Sequence, residues 1–174
     1  MKKAINITRS IIDKIFFTFG LFIGSQIPNF VEQYRQRLGG RLNQAIEDLQ
    51  QFQTIADKFH NGNLNKLIEK HLSSADTTFY QEGFIIKNLV DKTNSLMESY
   101  NALNSNLLNQ IKYLIFNLDK NAASETWKIY EPGLILTVES IICALALGFL
   151  FSIILYFFSL LFTKAFISSD RNKN

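Results

Sequence analysis

Cysteine is nearly absent: Cys143 is the single one in 174 residues. A disulfide within the chain is therefore impossible, and a metal site built on cysteines is excluded. Proline occurs twice and glycine eight times. Such scarcity of chain punctuators argues against a turn-rich β fold and suits long helices. Histidine also occurs twice. His60 and His71 are too sparse for a metal centre, so no metal is expected. No Ser/His/Asp set, Gly-rich phosphate loop or Cys/His pair stands at a usable spacing. The chain accordingly reads as non-enzymatic, with no catalytic residue and no cofactor. An excess of one charge is missing from the middle as well. Between Glu32 and Glu131, 11 Lys/Arg stand against 12 Asp/Glu, a sum of −1. Nucleic acid is not expected as a partner of such a near-neutral surface.

What the chain does have is apolar length at both ends. From Leu134 to Phe162 a single charge, Glu139, interrupts an apolar run. As a helix this run reaches roughly 43 Å, against a bilayer core of about 30 Å. Near the N-terminus, Lys2, Lys3, Arg9 and Lys14 precede the apolar stretch Ile15 to Ile27. That order resembles a signal peptide. Ile23, however, spoils small-x-small cleavage after Ser25, so an uncleaved first span over residues 11–31 is expected. On the outer flanks of the spans stand seven basic residues (Lys2, Lys3, Arg9, Lys14, Lys164, Arg171, Lys173) and on the inner flanks five (Arg35, Arg37, Arg41, Lys120, Lys128). The weak positive-inside bias puts both termini in the cytoplasm and the middle in a periplasm-like space.

That middle reads as helix. Phe30, Tyr34, Leu38, Leu42, Ala45, Leu49, Phe52, Ala56 and Phe59 recur at steps of three or four, one apolar seam on a helix continuing out of the first span. His60-Asn61-Gly62 is a helix stop. A short helix from Leu64 to Leu72 follows, and Ser73 to Asp76 breaks the chain and caps the next helix, with a possible capping box at Thr78 and Gln81. A further seam runs Val90, Thr93, Met97, Tyr100, Leu103, Leu107, Ile111, Leu114 and Leu118. Asn121 to Glu131 breaks the pattern, and Pro132 can occupy the first turn of the second span. The expected fold is an all-α membrane protein. Two transmembrane helices (11–31 and 132–163) flank an extramembrane antiparallel helical hairpin of coiled-coil type (32–131). Cytoplasmic tails cover 1–10 and 164–174.

Several residues stand out against this plan. Gly20 and Gly24 lie four apart in the first span, and Ser140, Ala144, Gly148 and Ser152 repeat every four in the second. Such strips allow close helix packing. Gln26 and Glu139 are polar groups within the spans, at a similar depth. A hydrogen bond between them is expected, although a carboxylate there can also mark a proton or ion pathway. Arg35 and Arg41, with Arg37, form a basic collar beyond Pro28 that can hold lipid phosphates or a partner's carboxylates. Trp127 and Tyr130 suit the headgroup layer. Gly39 and Gly40 inside a helix cost about 1 kcal/mol each relative to alanine, which points to a kink, hinge or tight crossing.

The stretch Gln26-Ile27-Pro28-Asn29-Phe30, followed by Gln33-Tyr34-Arg35-Gln36-Arg37-Leu38-Gly39-Gly40, resembles a bacterial family of unknown function. Its members are small inner-membrane proteins with a span at each end. The resemblance covers essentially the whole chain. It implies the two-span architecture and no activity. Gln33, Tyr34, Gln36, Arg37, Gly39 and Gly40 are the positions at which a functional surface is expected.

Together these features favour a two-span protein of the bacterial inner membrane, acting through its helical hairpin as a scaffold, assembly or regulatory subunit. Its expected partners are membrane lipids and either another envelope protein or a second copy. Two alternatives remain: a small conductance component using Glu139, and a module binding anionic lipid through the basic collar and Trp127.

Overall fold

A computed structural model describes the backbone of residues 2–171 and the side chains of residues 10–160. The side chains of Lys2, Lys3, Arg9, Lys164, Arg171 and Lys173, which carry most of the charge bias, lie outside the described residues. Among the described residues there are six helices and no strand: α1 (Lys2–Phe59), α2 (Leu64–Leu72), α3 (Thr77–Leu103), α4 (Leu107–Asn117), α5 (Lys120–Lys128) and α6 (Val138–Arg171). Two of them, α1 and α6, are long and apolar enough to cross a membrane. Backbone contacts divide the chain into two units: Met1–Phe30 with Tyr130–Asn174, and Val31–Ile129.

In the first unit, α1 and α6 touch through backbone. A Cβ on Gly20 would meet the Leu147 carbonyl oxygen at 2.7 Å and the Gly148 Cα at 2.8 Å. One on Gly24 would meet the Ala144 Cα at 2.6 Å and collide with the Cys143 carbonyl. Ser25, Ser140 and Cys143 are buried along the same contact. Gly148 takes the side chains of Phe17 and Leu21, whereas Ser152 is only half-buried. Edge-to-face ring pairs, Phe17 with Phe149 and Phe19 with Phe151, flank the strip. The other faces stay uncovered: Ile15, Phe19, Phe22, Ile141, Ile142 and Phe149 are all exposed.

The start of α6 differs from the sequence expectation. Tyr130 to Thr137 is non-helical, and Pro132 lies within that segment rather than in the helix. Thr137 supplies the cap: its Oγ1 accepts from the Ser140 amide at 3.2 Å and its carbonyl from Ile141 at 3.1 Å. Threonine accepts this hydrogen bond well, and it satisfies an amide that has no intrahelical partner. Glu139 consequently falls in the first turn of α6, where a carboxylate interacts favourably with the helix dipole.

In the second unit the first seam closes largely as expected. Tyr34, Leu38, Leu42, Ala45 and Ala56 are buried, while Phe59, at the seam's end, is exposed. The stop at His60-Asn61-Gly62 uses positive φ at Asn61 (52°) and Gly62 (77°), and both His60 and Gly62 amides donate to the Ala56 carbonyl. Asn63 caps α2 by accepting from the Lys66 amide. Asp76, not Thr78, caps α3: its side chain accepts from the Thr78 amide at 2.7 Å, which leaves Thr78 inside the helix. Gly83 of α3 admits His71 and Leu72 of α2.

The second seam is broken where sequence periodicity alone reads it as continuous. Asn104-Ser105-Asn106 separates α3 from α4. Asn106 accepts from the Asn109 amide, and the Gln110 side chain donates to the carbonyls of Leu103 and Ser105. Short polar side chains that satisfy backbone groups compete with helix continuation. The buried line on α3 is Gly83, Ile86, Thr93, Leu96 and Leu103, and Met97, expected in the seam, is exposed. The segment after Leu118 is not irregular either. Asp119 caps α5 through the Asn121 and Ala122 amides. Periodicity missed this helix because its buried residues are only Ala122 and Thr126.

α1 is continuous through Gly39 and Gly40, so the pair forms no break. A Cβ on Gly39 would lie 3.1 Å from the Tyr100 ring, while one on Gly40 would meet nothing within 4 Å. Gly39 therefore serves a close crossing, and Gly40 carries the helix cost of glycine without a steric reason. Gly40→Ala should stabilise the protein by about 0.5–1 kcal/mol. Gly24→Ala should destabilise it by at least about 1–3 kcal/mol, since the colliding atoms are backbone. Thermal unfolding of both variants in detergent, followed by circular dichroism, checks the opposite signs.

Candidate functional site

The segment Gln33–Gly40 forms two turns of α1, and its residues divide by face. Tyr34, Leu38 and Ala45 point into the second unit and are buried. Arg37 and Arg41, one turn apart, lie beside them and meet α5. Glu125 Oε2 accepts from Arg37 Nη1 at 2.9 Å and from Arg41 Nη2 at 2.6 Å. Arg41 also reaches the Asp119 carboxylate at 3.5 Å. The Tyr34 hydroxyl accepts from the Asp119 amide at 3.2 Å, so two successive turns of α1 hold both the cap and the body of α5. Charge-assisted bonds from two guanidinium groups to one carboxylate fix orientation more strongly than a single exposed ion pair.

Arg35 faces another way. It donates to Glu32, at 2.7 Å, and to the Asn104 side chain, at 3.0 Å. Gln36 is exposed and also donates to Glu32. Gln33 is half-buried, and Gly40 is exposed. The basic collar thus finds carboxylates within its own chain. Of the positions singled out by sequence, Tyr34, Arg37 and Gly39 serve the packing of the second unit, and Gln36 and Gly40 remain on its surface. Beside the collar lies an open groove of about 640 Å³. Arg41, Lys92 and Lys128 line it against Asp48, Asp119 and Glu125, three charges of each sign. This is an ion-pairing surface. Ser95 and Ser124 lie along it without a histidine to activate them.

A second polar cluster lies in the first unit. The Gln26 side-chain oxygen accepts from the Tyr130 hydroxyl at 2.9 Å and from the Gly133 amide at 3.3 Å. Asn29, buried, donates to the Tyr130 hydroxyl at 3.2 Å and to the Glu131 carbonyl at 3.0 Å. The Phe30 ring leans on Tyr130 at 5.9 Å. The expected Gln26–Glu139 bond is not formed. Glu139 is exposed in its helical turn, and the non-helical segment before α6 brings Tyr130 and Gly133 to Gln26 instead. Sequence reasoning missed Asn29. Its signal was the three-residue spacing of Gln26 and Asn29 on an otherwise apolar helix. Tyr130 is engaged here, whereas Trp127 at the end of α5 is 69 % exposed.

Away from these clusters, His71 Nδ1 donates to the Leu67 carbonyl at 2.9 Å, and Nε2 lies 3.7 Å from the Glu82 carboxylate. Among the described residues, no group of three or more His, Cys, Asp and Glu side chains is placed to hold a metal ion.

Two titrating groups report on the α1–α5 contact. The hydrogen bond from Arg41 is the largest single cause, and with the charge of Arg41 and the hydrogen bond and charge of Arg37 it holds the Glu125 carboxyl below its ordinary range. Burial pushes the Tyr34 phenol above its usual value.

Among the described residues these features define an all-helical protein with two helices long and apolar enough to cross a membrane. The family described as "Protein of unknown function (DUF2937)" matches residues 8–168, and the chain belongs to it. No curated protein and no solved structure matches the chain.

Because the folded-state pKa of Glu125 is depressed, the stability it contributes is present above its unfolded pKa. That stability disappears as the pH falls through the lower folded value. Glu125→Gln should therefore lower stability at neutral pH and flatten its acid dependence below the ordinary glutamate range. Tyr34→Phe should cost about 1 kcal/mol, for the acceptor lost at the Asp119 amide. Tyr34→Ala, which leaves a cavity, should cost about 3–5 kcal/mol. Urea titrations of the detergent-solubilised protein at several pH values read all three.

Proposed function

We propose that this chain is a non-enzymatic, two-span protein of the bacterial inner membrane. Its termini are cytoplasmic and its middle region is periplasmic. It acts as a scaffold, assembly or regulatory subunit through the helical body of residues 31–129. The observation that carries the membrane reading is the disposition of apolar surface on α1 and α6. In their most apolar windows only 17 % and 11 % of residues are buried. A core helix of a soluble protein would be mostly covered. Here the close-packed strip is made of small residues with a few large side chains beside it, while Ile15, Phe22, Ile141, Ile142 and Ile153 stay exposed on the other faces. That distribution fits helices packed in lipid, where small residues mediate contact and hydrocarbon surrounds the rest.

Contacts within the second unit support the antiparallel reading of α1 against α3. Arg35 meets Asn104 and Gly39 meets Tyr100, while Gln51 and Phe52 share a groove with Ile85 and Leu89. Residue numbers rise on one helix as they fall on the other. A body held by such a pairing and by the Arg37/Arg41–Glu125 clamp is a rigid platform, which suits binding to a partner protein. The position of Glu139, in an exposed first turn, fits a headgroup-level carboxylate better than a conduction relay.

The test is made in intact cells. The protein should stay in the membrane through an alkaline carbonate wash. Protease added to spheroplasts should cut between residues 60 and 80 without lysis. Crosslinking and mass spectrometry from native membranes should then recover a protein attached through residues 31–129. Release by carbonate would end the spanning reading. Cleavage only after lysis would reverse the orientation, and crosslinks confined to lipid-facing positions of α1 and α6 would remove the scaffold role.

A further inference from the structure

Helix α5 is fastened unlike the rest of its unit. Its nine residues bury only Ala122 and Thr126, and its large apolar side chain, Trp127, is exposed. The Thr126 hydroxyl donates within the helix, to the Ala122 carbonyl at 2.7 Å. A helix this short does not hold its shape alone, because its nucleus is costly. Covering an alanine and a threonine methyl offsets little of that cost. What fastens α5 is polar. Arg37 and Arg41 bond to Glu125, Arg41 pairs with Asp119, and the Tyr34 hydroxyl accepts from the Asp119 amide. Every one of these partners stands on α1. The groove that α5 borders takes Lys92, Ser95 and Leu96 from α3, so open space lies along that side of the strand of contacts.

The pairing of α1 with α3 is built differently. Leu38, Leu42 and Ala45 on α1 and Ile86, Leu96 and Leu103 on α3 are all buried. Apolar burial carries no charge for salt to screen. The fastening of α5 does, and its charges are partly wet. Side-chain exposure is 25 % at Arg37, 29 % at Arg41 and 45 % at Glu125. Ion pairs exposed to this degree weaken as ionic strength rises. A segment with little apolar contact and wet polar bonds opens locally at lower cost than the core beside it.

We propose that α5 is a strap latched by charge. It lifts from α1 as one unit while the α1–α3 pairing stays closed, and ionic strength sets how often it does so. Lifting frees the guanidinium groups of Arg37 and Arg41 and the Tyr34 hydroxyl, and it widens the groove. The rigid part of the body is α1 with α2 and α3, and α5 is its movable edge. The body therefore has two forms, one with Glu125 over the arginines and one with the arginines bare. The device lies within Val31–Ile129 and does not depend on whether α1 and α6 cross a bilayer.

Hydrogen–deuterium exchange of the full-length protein in a non-ionic detergent, read by mass spectrometry at fixed pH, tests the strap. Salt is raised from about 0.02 M to about 0.5 M, which shortens the screening length roughly five-fold. In low salt, amides 124–128 of α5 should exchange at least about ten-fold faster than amides 86–96 of α3, each relative to its unstructured rate. High salt should speed α5 by roughly a further three-fold or more and leave α3 unchanged. Glu125→Gln should speed α5 in low salt and remove most of its salt response. Arg35→Gln, which alters a cation paired with Glu32 rather than with α5, should change neither. Exchange of α5 in step with α3 would overturn the proposal, since α5 would then open only with the whole unit. Fast exchange that ignores both salt and Glu125→Gln would overturn it too, as fraying without a latch. The salt series on the parent protein decides the matter even where Glu125→Gln fails to fold.

Discussion

Two missing side chains govern the first unit. At Gly20 and Gly24 the backbone of α1 comes so close to residues 143–148 of α6 that a single methyl group would not fit. At such a distance many dispersion contacts form along the strip, each small and large in sum. The close approach exposes little polar backbone, because each helix already satisfies its own amides. It also dictates how the chain enters α6. The segment from Tyr130 to Thr137 has no helical bonds of its own. Gln26 of α1 accepts from its Tyr130 hydroxyl and Gly133 amide, and Asn29 donates to its Glu131 carbonyl. The polar residues in this part of α1 therefore complete a backbone that would otherwise be unsatisfied.

The second unit solves a different problem with the same helix. Beyond residue 31, α1 exchanges small residues for an apolar seam and a pair of arginines. The arginines meet a carboxylate on α5, and the Tyr34 hydroxyl meets the cap of that helix. The segment from Gln33 to Gly40 is thus the place where three elements are fastened: Gly39 takes Tyr100 of α3, Tyr34 takes Asp119, and Arg37 takes Glu125. A motif with these uses has an architectural role.

Much of this was legible in the sequence, and the failures share a cause. Long periodic stretches and helix punctuation read well: the seam from Tyr34 to Ala56, the stop at Gly62 and the short helix Leu64–Leu72. The small-residue strips pointed to the residues that come together. Short elements did not read. α5 buries only an alanine and a threonine, so it has no apolar stripe to detect. The break at Asn104–Asn106 arises from side chains bonding to local backbone, which leaves a three- or four-residue period formally intact. The partner of Gln26 was misjudged because depth along two helices says nothing about the segment that joins them to the rest of the chain. Arg37 and Arg41 read as a free collar because Glu125 lies 84 residues beyond Arg41 in the chain, and no local pattern links them.

The central claim is that α1 and α6 of one chain pack directly against each other within a membrane. Disulfide trapping in native membranes tests it most directly. The pair Phe17→Cys and Phe149→Cys, in a Cys143→Ser background, replaces two rings whose centres lie 5.4 Å apart. A short bis-methanethiosulfonate linker should join the two thiols within the monomer, visible as a faster-running monomer band that disappears on reduction. A product found only at twice the mass would mean that the contact joins two chains, and it would contradict the account.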